Sequence, residues 1–564
     1  MQQPTIKLFG ALLTAALSIV SVSAAGTDTW VGNTDANWTT AANWTTSGGS
    51  TPPANGDSLV FGAAGSAGAS LNNDISGLSV LNFNINSGAS AFTFGGNGFT
   101  LNSTLTDVAN VNETFSGGIT IGSNVATAIK NTGSGTLALG ALSQASGGTV
   151  DFTTNGPITT TTANTSGILG GWATTGNNVS SATTGDWAAN DGSGNIVAYT
   201  GYTVGTVIAG QPATANFKNT ANATMTASTT INSLSQWADV TLSGGQTLTL
   251  NSGGLVLGGI SRWLKNANAN TGSAEYLKSG LATGELFVHV PDADANANNW
   301  TIWPIVADNL TATALIKDGP GLVKLGNYNT YTGGTFVNGG TLQLGNGVGG
   351  GGTGFLRGVV TVNSGATLNL SRVDAIGYNS GVCVDTINVN GGTVANTSGG
   401  NEGFLTGLNL TGGTVTSTGG NYVFQSGYGN ITSLASPLTS LISAPLWFWG
   451  AGSFAVAQGN TASGNDLIVS GAIKSSTGVS KTGPGKLVMT GANTYTGDTY
   501  ITEGVLQLGD GASASGSLAG NIDNETTLII ANPGAVTLPG VIYSSSAAPL
   551  IKTGAGTLTL SGAN

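Results

Sequence analysis

The chain holds one histidine, His289, one cysteine, Cys383, and 25 acidic side chains, so any bond-making chemistry has few groups to draw on. A Ser-His-Asp triad or an imidazole metal site would have to be centred on His289. That residue sits between Val288 and Val290 in an alternating apolar run, and no Gly-x-Ser-x-Gly nucleophile turn accompanies it. Asp292-Ala293-Asp294-Ala295-Asn296-Ala297-Asn298-Asn299 has the oxygen-rich look of a calcium loop. An EF-hand loop needs Gly at its sixth position and Glu at its twelfth, where this chain has Ala297 and Trp303. The segment therefore reads as a solvated polar loop, with a loose calcium site as the alternative. Gly483-Pro484-Gly485-Lys486 lacks the distal glycine and the hydroxyl of a phosphate loop, since Ser480 and Leu487 stand there.

Glycoside cleavage requires two carboxyl groups about 5 Å apart, or somewhat wider, in one groove. On stacked coils such a pair would recur one rung apart. Asp374 to Asp385 is 11 residues and Asp385 to Glu402 is 17, neither a rung length, so no carboxylate constellation emerges. Cys383 shares strand parity with Ile387 and Val389 and reads as a buried apolar thiol. No intramolecular disulfide is possible. We expect no catalytic, cofactor-binding or metal-ligating residue.

What would position these groups is a chain of short strands. Charged residues make up 7%, against roughly 25% in ordinary soluble domains. The formal charge of −11 and the scattering of 14 Lys and Arg provide no patch to neutralise phosphates, so nucleic acid is excluded as a partner. With 92 Gly and 14 Pro, the chain stays below the roughly 25–30% at which disorder becomes the default. Period-two runs such as Val80-Leu81-Asn82-Phe83-Asn84-Ile85 and Thr247-Leu248-Thr249-Leu250 are strands, punctuated by Gly and Asn turns.

The longest internal repeat begins at Lys317-Asp318-Gly319-Pro320-Gly321-Leu322-Val323-Lys324-Leu325 and continues through Asn329-Thr330-Tyr331-Thr332-Gly333-Gly334-Thr335 to Gly340-Thr341-Leu342-Gln343-Leu344-Gly345. It returns from Lys481 through Asn493-Thr494-Tyr495-Thr496-Gly497-Asp498-Thr499 to Gly504-Val505-Leu506-Gln507-Leu508-Gly509, and starts again at Lys552. These residues resemble the autotransporter-associated beta-strand repeat family. The departures are small: Val323 and Met489 replace Leu, and Asn327 and Asp498 replace Gly. The resemblance implies passenger architecture at a cell surface and supplies no catalytic residue.

A Thr corner recurs at Thr341, Thr367, Thr393 and Thr414, at intervals of 26, 26 and 21. Units of this size predict an all-β fold, a right-handed parallel β-helix (β-solenoid) with irregular loop insertions. Roughly 540 mature residues at about 25 per coil give about 21 coils, a rod near 100 Å if stacked end to end. Recurring Lys317, Lys481 and Lys552 read as edge or corner lysines that discourage strand-to-strand aggregation.

The expected organisation is a signal peptide over 1–24, with Lys7 before an apolar run and Val22-Ser23-Ala24 as a cleavage site. An N-terminal cap and β-solenoid follow over 25–165, a β-solenoid with insertions over 166–316, and the repeat region over 317–564, apparently truncated within its third copy. Trp30, Trp38 and Trp44 are expected to cap the first rung, with sugar stacking as the alternative. The chain is thus expected to be secreted or held at the cell surface, outer membrane-associated, with any membrane anchor lying outside it. Its expected role is structural or adhesive, through weak multivalent contacts with surface glycans or other cell-surface proteins. The alternative is a secreted carbohydrate-binding or polysaccharide-cleaving β-helix.

Overall fold

The structure is a computed structural model that describes residues 26–48, 51–176, 185–259, 262–266, 274–291, 300–345, 351–403, 407–419, 422, 424–426, 429–475 and 477–563. The expected signal peptide and the calcium-like segment 292–299 lie outside these residues.

The architecture is an all-β parallel β-solenoid of about 20 turns, and no α-helix occurs among the described residues. Each rung contributes one strand to each of two long faces. Along the repeat region, Thr341 pairs with Thr367, Thr367 with Thr393 and Thr393 with Thr414, so the intervals read from the sequence are the register itself. Alternation sets the burial. In Thr341–Leu344 the side chains of Leu342 and Leu344 point inward, while Thr341 and Gln343 face out. Leu342, Leu368, Val394 and Val415 then stack as one inward column. Each such side chain contributes roughly 1.5–3 kcal/mol by leaving water.

The chain does not form one rod. Strands from Thr27–Trp30 to Ile196–Ala198 make a first solenoid with sheets of 12 and 5 strands, and those from Thr203–Val204 onward make a second, with sheets of 18 and 15. Their hydrophobic cores are separate. The His289 imidazole Nε2 lies 2.8 Å from Gly171 O. Asn338 Nδ2 donates to Gly147 O at 2.9 Å, and Asn363 Nδ2 to Asn124 O at 2.5 Å. As numbering falls from 171 to 124 in the first solenoid, its partners rise from 289 to 363 in the second. The two therefore lie side by side and antiparallel, which replaces the expected end-to-end rod near 100 Å.

Both ends of the first solenoid are closed by antiparallel strands. At one end Thr27–Trp30 pairs antiparallel with Trp44–Ser47, setting Trp30 opposite Trp44. At the other, Asp186–Asn190 pairs antiparallel with both Ala173–Thr175 and Ile196–Ala198. An antiparallel return hides a sheet edge that another chain could extend.

Candidate functional site

Several polar residues of the repeat are turned inward. Lys317 is fully buried, and its Nζ donates to the carbonyls of Asp318 at 3.0 Å, Gly319 at 2.7 Å and Gly339 at 2.9 Å. Lys481 does the same to Thr482, Gly483 and Glu503, at 3.0, 2.6 and 2.9 Å. Lys552 donates to Gly554 O. At Lys317 and Lys481 the edge-lysine expectation is thus corrected: a corner exposes several carbonyls on one side, and a buried ammonium satisfies them together. Burial pushes Lys317 down to about 7, opposed by Asp318. The carbonyls around Lys481 face a cation, so the loop at Gly483-Pro484-Gly485-Lys486 has the wrong polarity to hold phosphate.

Other motif positions have equally local tasks. Asn329 Oδ1 accepts from Val306 N at 2.8 Å on one rung, and its Nδ2 donates to Phe355 O at 2.9 Å on the next. Asn493 repeats this with Ile473 N and Ser517 O. The Tyr331 and Tyr495 hydroxyls bond Thr335 and Thr499 within the core, at 2.6 and 2.9 Å. Gly340 and Gly504 have φ of 58° and 68°, and a Cβ there would lie 2.4–2.5 Å from carbonyl oxygens of the previous rung. Only glycine fits such a corner without strain.

His289 is buried where the solenoids meet. Its Nδ1 lies 3.3 Å from Asp318 Oδ2, and Trp187 packs edge-on at 5.6 Å. Burial acts to raise the Asp318 carboxyl, but the contact with His289 and the charges beside it hold it below the usual range. Glu285 stitches the same seam, accepting from Gln144 Nε2 at 3.0 Å and Gly147 N at 2.5 Å. Trp30, Trp38 and Trp44 are buried and pack on one another and on Phe61, which makes them the cap and removes them as a sugar platform. Cys383 is buried, and burial pushes its thiol up.

One open cleft on the second solenoid is lined by groups of recognisable chemistry. It measures about 430 Å³ and is bounded by Val373, Asp374, Tyr378, Gly400, Asn401, Gly403 and Trp449. Two successive rungs build it. The turn after Thr367–Leu370 carries Asp374 and Tyr378, and the turn after Thr393–Asn396 carries Asn401. Asp374 N donates to Asn401 O at 3.2 Å, locking one turn to the next. Tyr422 N donates to Asn401 Oδ1 at 3.1 Å, which fixes the amide. Asp374 holds φ of 53°, a left-handed conformation that a non-glycine residue adopts only when its surroundings impose it. Tyr378 and Trp449 are half exposed, at 50% and 55%. Beyond Trp449 the aromatic surface continues to Trp447, 6.2 Å away, and then to Tyr422 at 5.4 Å. Lys474 Nζ stands 4.0 Å over the Trp447 ring.

Glu402 lies behind this cleft. It is fully buried, accepts from Ile376 N at 3.4 Å, and is pushed up to about 9 by burial, so it is a neutral acid at neutral pH. Asp374 is near enough to add to that shift, and burial raises Asp374 itself. The carboxylate spacings weighed from the sequence left out this pair, although 28 residues is close to the 27 that separate Val360 and its register partner Ile387. Glu402 turns toward backbone amides and does not line the cleft, so the two acids do not face a common substrate position.

The fold is a repeat-built parallel β-solenoid in which the corner lysines Lys317 and Lys481 face inward. The passenger-associated-transport-repeat family matches residues 315–344, 479–508 and 550–564, so the chain carries that repeat at three places. Among curated proteins, the Adhesin BmaC autotransporter of Brucella suis biovar 1 (strain 1330) is 31% identical over 245 residues, a distant homologue. The match takes in 40% of this chain and 6% of the relative's length. No solved structure matches the chain.

Proposed function

We propose that this protein is an exported surface passenger whose role is adhesion by many weak contacts, without bond-making chemistry. The homology to an adhesin carries the reading. Its physical support is that the polar groups of the repeat are spent on corners and rung-to-rung bonds, which leaves turns and insertions as the contact surface. A stiff array of turns multiplies weak affinities when several engage one surface together. Beads coated with the purified protein and presented to epithelial cells test this. Attachment that rises steeply with coating density is expected; attachment equal to that of albumin-coated beads at every density would overturn it.

The cleft at Tyr378 and Trp449 favours a second reading, a carbohydrate-binding β-helix, because exposed aromatic faces beside an Asp and an Asn suit sugars. Retention of neutral polysaccharide without release of reducing ends is the expected result. Release of reducing ends would show an enzyme instead.

A further inference from the structure

We propose that the cleft between the turns at 373–378 and 400–403, closed on one side by Trp449, binds a neutral pyranose unit of a surface glycan. The proposal rests on the carbohydrate-binding reading and names its site and ligand class.

A pyranose ring has an apolar C–H face and a rim of hydroxyls. It needs an aromatic face to stack on and, at the rim, both acceptors and donors. Trp449 and Tyr378 supply half-exposed aromatic surface on the cleft walls. Asp374 supplies a carboxylate acceptor and Asn401 an amide beside it. Asn401 Oδ1 is already held by Tyr422 N, which leaves its Nδ2 protons as the donors. The cleft volume of about 430 Å³ lies in the range of small-ligand pockets. Gly400 keeps the floor open, because a Cβ there would lie 2.2 Å from Val373 Cγ2.

The walls are held before any ligand arrives. Asp374 is pinned in its left-handed conformation by the bond to Asn401 O, and Glu402 braces the same turn from behind through Ile376 N. Preformed walls reduce the ordering cost of binding. Charge biases the choice of ligand. Among the described residues lining the cleft Asp374 is the one carboxyl and no Lys or Arg joins it, so a neutral ring is favoured over an anionic one there. The Lys474 ammonium lies outside the cleft, over Trp447. Trp447 and Tyr422 extend the aromatic surface past Trp449, which gives neighbouring sugar units a place to lie.

The test uses the whole chain with mannose-, glucose- and galactose-terminated oligosaccharides, and a uronate oligosaccharide as comparator, read by titration calorimetry and tryptophan fluorescence. At least one neutral sugar should bind with millimolar or better affinity. Trp449→Ala should weaken that binding at least tenfold at unchanged Tm, and so should Asn401→Asp, which keeps the oxygen that Tyr422 N bonds and removes the amide donor. Trp263→Ala, at an exposed tryptophan outside the cleft, should bind as the parent does. No neutral binding at millimolar sugar, preference for the uronate, or full binding by Trp449→Ala would each overturn the proposal. Bead attachment separates it from adhesion. If the parent attaches but binds no neutral sugar, the cleft proposal falls and adhesion stands. If soluble sugar binds at the cleft but beads do not attach, adhesion falls and the cleft stands.

Discussion

The buried lysine of the repeat shows what a single side chain does in this fold. Lys317 donates to three corner carbonyls at once, those of Asp318, Gly319 and Gly339, in a buried setting. Lys317→Met keeps the bulk and removes the donor. It should cost about 3 kcal/mol, read as a lower urea midpoint with unchanged slope for that transition. Glu402 makes a second prediction at this scale. Its folded-state value is raised to about 9, so between the unfolded value of about 4.3 and that point the folded chain holds a proton the unfolded chain has lost. The stability from that proton is full at acid pH and lost as pH rises through the folded value. Tm should therefore fall between about pH 5 and pH 9, and Glu402→Gln should flatten that fall. An unchanged slope in the variant would show that another group carries it. The same burial explains why Glu402 was not legible beforehand: one acid in a polar turn gives no sign of which way it points.

Single rungs were the most legible elements. Period-two alternation fixes which face of Thr341–Leu344 enters the core, and the recurrence of Thr at one-rung intervals fixes its register. Contacts between the solenoids had no such signal. Glu285 and Gly147 are 138 residues apart and belong to different stacks. Glu285→Ala should raise hydrogen exchange at the Gly147 amide at least tenfold while leaving Leu342 and Leu368 protected. Equal exchange in parent and variant would mean that the solenoids are held elsewhere along the seam.

At the scale of the molecule, pairing shortens the particle. The 18-stranded sheet of the second solenoid has about 16 levels, because Tyr276–Ser279 and Glu285–His289 share one and Ile305–Val306 and Ala314–Asp318 the next, so it spans roughly 70 Å at about 4.8 Å per level, and the first solenoid lies along it. Small-angle scattering should give a thick rod of about that length. A thin rod of 100 Å or more would signal end-to-end stacking and would remove the bond between His289 and Gly171. Pairing also decides which faces are available for contact. The face of the second solenoid that carries Asn338 and Asn363 is taken up by the first, whereas Tyr378 and Trp449 remain half exposed.

From the residues alone came the solenoid, its rung length, the inward columns and the tryptophan cap. All of these arise from interactions that repeat at about one rung and so leave a period in the chain. Tertiary structure decided the antiparallel pairing, the burial of Lys317 and the cleft that joins Tyr378 to Trp449. Those depend on groups that meet once, up to 239 residues apart, and a contact made once imposes no rhythm on a sequence.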